Sequence, residues 1–454
     1  MKKMIRMAFA ALLLLAVSAA SAQKVNRTAF LSRIEKSDAD IADPKKNTKA
    51  ATWINRGKLF YEAAAEPTKN LFLNTDAALL KMTLGGNPSA TNAAELRGQA
   101  CEEWVYPYFT AYVLDNKVIA WKQTQLIVED APAKAIAAYC KAYELDPKSA
   151  AKVKAGLQQV SDFCSQAGDV AGSRNDYADA ARSYRQAFEA QSACPAFGQP
   201  NPELLFYAGY MYTMDASENR SPETYAAGAD CFNKALDLGY CDEEGNLYYF
   251  LFHCYYGQKA SDPEFVIRAK DALLQGVEKF PKNERILEGL TQLYTSSEDN
   301  VGDPADLVAL LDNAIASDPD NADLWFGRGR IFYALNNYDE SIASFKKIVE
   351  LQPDRFDGYY YLGVFYTIKG DAMNTEANQK QRSSQAAYEE DQKAVVEVYK
   401  QAVPYFEKAH ELRPDDVDTL EYIKSLCFRL RDEEGMQDKY EYYNALFKKA
   451  KGLE

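Results

Sequence analysis

The chain has 454 residues, with 52 Lys and Arg against 66 Asp and Glu and a formal net charge of −14. An acidic chain repels phosphate backbones and anionic headgroups, which argues against general nucleic-acid binding and against direct docking on anionic lipid. Only His253 and His410 are available for imidazole chemistry, and beyond the N-terminal segment no apolar run is long enough to span a bilayer.

In chain order, the first segment reads as a secretory signal peptide. Lys2, Lys3 and Arg6 make a positive start, Ala8 to Val17 is a short apolar run, and Ala20-Ser21-Ala22 is a small-x-small cleavage signal. Cleavage after Ala22 would take three positive charges with it and leave a mature chain of net charge −17. Gln23, not Cys, follows the cut, so no lipid anchor is expected there. The expected location is the periplasm, with secretion or outer-membrane association as variants of the same route.

Residues 23–49 form an N-terminal segment, and from Ala50 a repeating frame sets in. The frame is clearest from Ala322 to Pro353. With Ala322 as position 1, Trp325 stands at 4, Arg328 at 7, Gly329 at 8 and Phe332 at 11. These share one face of a helix at i, i+3, i+4 and i+7. Ser341 at 20, Phe345 at 24 and Ile348 at 27 do the same on a second helix, Asn336-Asn337 supplies turn chemistry between them, and Pro353 stops the unit. Small residues at 8 and 20 let the helices cross closely.

The same frame recurs along the chain. The first unit spans 50–147, with Trp53, Arg56, Gly57 and Phe60 and then, late, Ala135, Tyr139, Ala142, Leu145 and Pro147. Units two to six occupy 161–353, a seventh 356–414, and a degenerate capping unit 417–454. This frame resembles the tetratricopeptide repeat, a 34-residue helix-turn-helix. The resemblance implies an all-α solenoid of about seven to eight repeats, with a small β-hairpin inserted in the first.

Two units are split. The first carries an insertion at about 62–131, in which Val105–Leu114 and Lys117–Val128 read as the strands of a hairpin turned at Asp115-Asn116. Asn70 to Asn92 reads as loop. The hairpin is expected either to close the end of the helical stack or to offer a sheet edge to a partner. The seventh unit is split at about 371–397 by a Gln-, Ala-, Glu- and Lys-rich stretch expected to extend its helices, with a disordered turn near Arg382-Ser383-Ser384.

No catalytic motif appears. Gly-x-x-x-x-Gly-Lys, Gly-x-Ser-x-Gly and His-Glu-x-x-His are all absent, so no enzyme activity, cofactor or metal is expected. His253 and Cys254 are sequence neighbours and point about 100° apart on a helix. The eight cysteines lack zinc-type spacing. In an exported chain disulfides are allowed, and Cys231, Cys241 and Cys254 are the group most apt to contain one.

The resemblance also implies a binding face. In such repeats first-helix positions 2, 5, 9, 12 and 13 line a concave surface. Carried over, these give Tyr212 in unit three, Tyr248, Phe252 and Tyr255 in unit four, Phe326, Arg330 and Tyr333 in unit six, and Tyr360 in unit seven. Exposed aromatics around an Arg have the composition of an interaction hot spot; the plainer reading is that neighbouring helices bury them. Phe326 and Arg330, then Tyr360 and Val364, do not fit the Lys/Asn/Arg pattern of a carboxylate clamp. The expected function is therefore an exported scaffold holding another protein or protein segment of the cell envelope, any membrane association running through that partner. A solute- or glycan-binding protein is the alternative.

Overall fold

The computed structural model describes residues 25–453 except 297, 298, 300 and 380–384. The segment read as a signal peptide, its expected cleavage site and the stretch Arg382-Ser383-Ser384 expected as a disordered turn lie outside the described residues. Those described form eighteen helices and one four-stranded antiparallel sheet, in two compact units divided between Cys241 and Asp242.

In the first unit, α1 (Arg27–Ala42) precedes α2 (Ala50–Ala65). The chain then leaves the repeat through α3 (Ala77–Leu84), β1 (Ala90–Leu96), β2 (Gln99–Val105), β3 (Phe109–Leu114) and β4 (Lys117–Gln123). It returns as α4 (Ala131–Leu145), which packs along α2 to complete the interrupted hairpin. Two further pairs follow: α5 (Ala150–Ser173) with α6 (Tyr177–Ser192), and α7 (Glu203–Asn219) with α8 (Pro222–Asp237).

The sheet runs β1-β2-β3-β4 in order. Asp115 and Asn116 at the β3–β4 turn both take left-handed φ, 48° and 61°, as a tight two-residue hairpin requires. The sheet is larger than the single hairpin read from the sequence. Pro107 cannot donate a ladder hydrogen bond, so the run from Val105 to Leu114 divides there, Val105 ending β2 and Phe109 opening β3. A second hairpin joins β1 and β2 through Arg97 and Gly98, also at positive φ. Within 70–92, the run read as loop contains α3, capped by the Asp76 carboxylate, which accepts from the Ala78 N–H at 2.8 Å. Ala77 and Leu80 of α3 pack with Trp104, Tyr106, Phe109, Val113, Val118 and Trp121 of the insertion and Val170 of α5 in one apolar cluster.

Polar bonds fasten the sheet to the α5–α6 turn. Arg97 donates to the Gly172 carbonyl at 2.6 Å and to Asn175 Oδ1 at 3.1 Å. Lys122 pairs with Asp176 at 3.4 Å, and Arg174 donates to the Trp121 carbonyl. The insertion is thus docked on the second repeat.

The second unit contains α9 (Asn246–Tyr256), α10 (Glu264–Lys279), α11 (Glu284–Thr295), α12 (Pro304–Ser317), α13 (Ala322–Ala334), α14 (Tyr338–Leu351), α15 (Phe356–Gln379), α16 (Gln385–Leu412), α17 (Val417–Arg429) and α18 (Met436–Ala450). The α9–α10, α13–α14, α15–α16 and α17–α18 hairpins pack tightly; α11 touches α9, α10 and α13 more than its sequence partner α12. The seventh unit's insert lengthens α15 and α16.

The recurring sequence positions make recurring bonds. Trp53 Nε1 donates to the Asn47 carbonyl at 2.8 Å, and Trp325 Nε1 to the Pro319 carbonyl at 2.9 Å, six residues back in both cases. Arg56 bonds Ser37 and Asp38 while lying over Phe60; Arg328 bonds Ser344, Asp312 and Glu340 while lying over Phe332. A second pattern joins helices within a repeat. Gly168 and Gly370 let the rings of Tyr184 and Tyr399 close against the first helix. The next residue then receives each hydroxyl: Asp169 at 2.5 Å and Asp371 at 2.6 Å.

Candidate functional site

The aromatic residues assigned to a concave face do not form one exposed surface. Phe326, Tyr248 and Phe252 are each 1% exposed, so they cannot present a binding face. Packing of successive helices buries them. Phe326 sits 5.3 Å from Phe345 and edge-on to Tyr361 at 5.6 Å, while Tyr333 stacks on Phe365 at 5.0 Å. Tyr248 fits over Gly276 of α10, and its hydroxyl accepts from Lys279 at 2.8 Å. Phe252 stacks on Tyr256, and half-buried Tyr255 stacks on Phe265. Much of this aromatic content is glue between neighbouring helices, the plainer of the two readings.

Tyr360 and Phe326 do meet at one recess of about 780 Å³ in the second unit. Phe326 lines it although it is almost wholly buried. Tyr360 and Tyr361 of α15, with Phe356 at its start, make the aromatic wall, Phe356 and Tyr360 stacking at 5.7 Å. Arg330 lies one turn along α13, over the Tyr361 ring at 5.3 Å. Tyr212 belongs elsewhere, to a first-unit cleft of about 480 Å³ shared with Phe163, Arg182 and Arg185.

The recess is edged by three inter-repeat turns: Lys282 and Glu284 after Pro281, Asp354 and Arg355 after Pro353, and Arg413 and Asp416 around Pro414. These residues fall at repeat joints, outside the first-helix positions used to map a groove, and so were missed. The available signal was a charged residue directly following each repeat-ending proline.

The charges are arranged unevenly. Arg355, with a side chain 9% exposed, forks onto Asp357 at 2.7 and 3.3 Å and reaches Asp323 at 2.8 Å. Lys282 also pairs with Asp357, at 3.1 Å. Burial works to raise the Asp357 pKa, but hydrogen bonds and charge from Arg355 and then Lys282 outweigh it and hold the carboxyl below its ordinary value. Tyr361 donates to Glu284 at 2.6 Å, and Arg413 lies over Phe356 at 4.2 Å. Burial, then Tyr422 and the Asp418 and Asp416 carboxylates, push the Tyr360 phenol well above its usual pKa. Three cations thus face five carboxylates around the recess, and Arg355 and Lys282 are already engaged by carboxylates. What remains is Asp354, Asp416 and Asp418 with Arg413 beside the aromatic rings, a net acidic lining suited to a guanidinium or ammonium group.

His253 packs edge-on against Tyr249 at 4.5 Å, and burial lowers its pKa. His410 packs on Tyr443. Among the described residues no three His, Cys, Asp or Glu side chains are grouped to hold a metal ion, and no described helix is long and apolar enough to cross a membrane.

Residues 297–371 match the tetratricopeptide repeat family model. Over 158 residues the chain is 25% identical to interferon-induced protein with tetratricopeptide repeats 2 of Cricetulus griseus, covering 35% of this chain and 31% of that protein; the match thus spans about a third of each. Among solved structures, the C-terminal part of a TPR repeat-containing protein from Cytophaga hutchinsonii is 13% identical with a TM-score of 0.32, over 63% of this chain and 95% of that one. A TPR repeats protein from Bacteroides fragilis is 16% identical with a TM-score of 0.27, over 59% and 97%.

Proposed function

We propose that this chain, which carries tetratricopeptide repeats, is an exported scaffold of the cell envelope that holds a partner protein by seating a basic side chain in the second-unit recess. Helical repeats of this kind bind other proteins, and stacked helices suit that role. The observation carrying the ligand class is the recess itself, which Tyr360 and Phe356 line together with Asp354, Asp416 and Asp418. A Lys or Arg entering there would meet ring faces and carboxylates together. Export is supported by the positive, apolar and small-residue order of residues 1–22.

Phe326 is a poor probe of this function, because truncating a ring so deeply buried costs about 3–5 kcal/mol of stability. The exposed rim is the better target. Asp354→Asn combined with Asp418→Asn is expected to weaken partner capture roughly tenfold, from two screened charge contacts of about 0.5–1 kcal/mol each, with unchanged thermal unfolding. The assay is in-cell crosslinking from position 360, followed by mass spectrometry of envelope fractions and titration of the captured segment at two salt concentrations. Capture that is unaffected by the double variant and by salt would remove the recess from the binding surface. Recovery of the chain with residues 1–22 intact in the cytoplasm would remove the envelope assignment.

A further inference from the structure

Two thiols of the first unit lie together although 54 positions separate them in sequence. Cys140 is on α4, the helix that closes the interrupted first repeat; Cys194 follows the end of α6 in the second. The Cys140 Sγ–H donates to the carbonyl of Ala193, the residue directly before Cys194, at 3.5 Å, which brings the Cys140 sulfur against the Ala193–Cys194 peptide. Both are held by ordered structure. Cys194 opens a turn in which the Phe197 N–H donates to its carbonyl at 3.0 Å, and Phe197 is buried, with Lys154 of α5 over its ring at 5.4 Å. Gln191 anchors the same segment, donating to Ser161 at 2.8 Å and accepting from the Asn201 N–H at 2.7 Å. On the other side, Tyr139 and Ala142 fix α4 in the core.

We propose that Cys140 and Cys194 are a disulfide-forming pair that staples the split first repeat to the second. Cys140 and Cys194 are both free thiols in this structure. The chemistry is thiol–disulfide exchange with a low-molecular-weight disulfide such as oxidised glutathione. Half-exposed Cys140 is the thiol a small disulfide meets first; Cys194 is 3% exposed. The Cys140 thiolate attacks one sulfur of the reagent, forming a mixed disulfide and expelling one thiolate. The Cys194 thiolate then attacks Cys140 Sγ and expels the second. Two protein thiols are oxidised, the reagent's disulfide takes up the two electrons, and the two thiol protons leave with its two thiols.

Burial, and then Cys194, push the Cys140 thiol up to about 12, so little thiolate exists once the unit is folded. Exchange on the folded chain is therefore slow, which suits a structural crosslink rather than a cycling redox centre.

The test is refolding of the reduced, denatured full chain in a glutathione redox buffer, then alkylation of remaining thiols and non-reducing peptide mapping. The expected product is a peptide linking Cys140 to Cys194, with an intact mass lower by two hydrogens. Its apparent Tm should exceed that of the reduced chain by roughly 5–10 °C, a gap that closes in the Cys140→Ala, Cys194→Ala double variant. The peptide map needs no variant, so a misfolding mutant leaves the test intact. Alkylation of both cysteines after oxidative refolding, or linkage of either to another cysteine as the main product, would overturn the proposal.

Discussion

Gly329→Ala sets two physical effects against each other at the centre of the best-formed repeat. On an isolated helix alanine is favoured over glycine by about 1 kcal/mol. At position 329 the added Cβ would stand 2.5 Å from two carbons of the Phe345 ring and 3.2 Å from the Ser344 Cβ, where carbon contacts prefer about 3.5–4.0 Å. The ring would have to retreat by about 1 Å. It has nowhere to go: Phe345 is fully buried, with Phe326 at 5.3 Å, Tyr361 at 5.4 Å and Phe365 at 5.0 Å around it. The helices cannot easily separate either, because Ser341 of α14 donates to the Gly329 carbonyl at 2.8 Å. Overpacking costs about 1–3 kcal/mol, and strain at this tightly enclosed ring should lie near the upper end. Subtracting the helix gain leaves a net loss of about 1–2 kcal/mol. Urea unfolding followed by circular dichroism should show a lower midpoint at unchanged slope. Phe345→Leu should relieve part of the loss, giving a favourable coupling in the double-mutant cycle. A midpoint that rises, as for a solvent-facing Gly→Ala, would refute the claim that ring-on-glycine contact sets the helix crossing.

Two further outcomes follow from part-buried polar pairs. Asp169→Ala leaves the Tyr184 hydroxyl without its acceptor and should cost about 1–3 kcal/mol, whereas Tyr184→Phe in the same background should recover much of it; thermal unfolding of the three variants checks this. Because Asp357 has a folded pKa below its unfolded value of about 3.9, its contribution to stability is present at neutral pH, begins to fade as pH falls toward that value, and is lost below the folded pKa. Asp357→Asn should therefore be less stable than the parent at pH 7 and converge toward it in acid; parallel curves of Tm against pH from 7 to 3 would contradict the assignment.

The repeat architecture was legible because its signals were redundant: Trp325, Gly329, Phe345 and Pro353 each mark a different feature of one hairpin, and the same offsets recur at Trp53, Gly57, Tyr139 and Pro147. The β3–β4 hairpin was legible through Asp115-Asn116 and β-branched flanks. β1 was not. Ala90 to Leu96 is rich in Ala and largely solvent-exposed, so neither alternation nor β-propensity marks it, and only Arg97-Gly98 hinted at a turn. At the recess, Tyr360 was found by repeat position and Arg355 was not. A position within a repeat says which way a side chain points, but the next helix decides whether it stays in solvent, and that packing buried Phe326, Tyr248 and Phe252. The thiol pair was invisible for a related reason: no sequence spacing predicts that a turn after α6 returns to α4.

The insertion within the first repeat also bears on the order in which the chain assembles. In the sixth repeat α14 begins four positions after α13 ends; in the first, 66 positions separate the end of α2 from the start of α4. Contacts between distant segments form more slowly than local ones, so a local hairpin such as α13–α14 closes soon after it is made, whereas α2 has a long wait for its partner. During synthesis at about 5–20 residues per second, at least 3–13 s pass between completion of α2 and the appearance of α4. Throughout that interval the apolar face of α2, with Leu59, Phe60 and Ala63, has no α4 to cover it. The N-terminal repeat is thus the part of the molecule with the longest exposure to chaperones, to proteases and to other nascent chains.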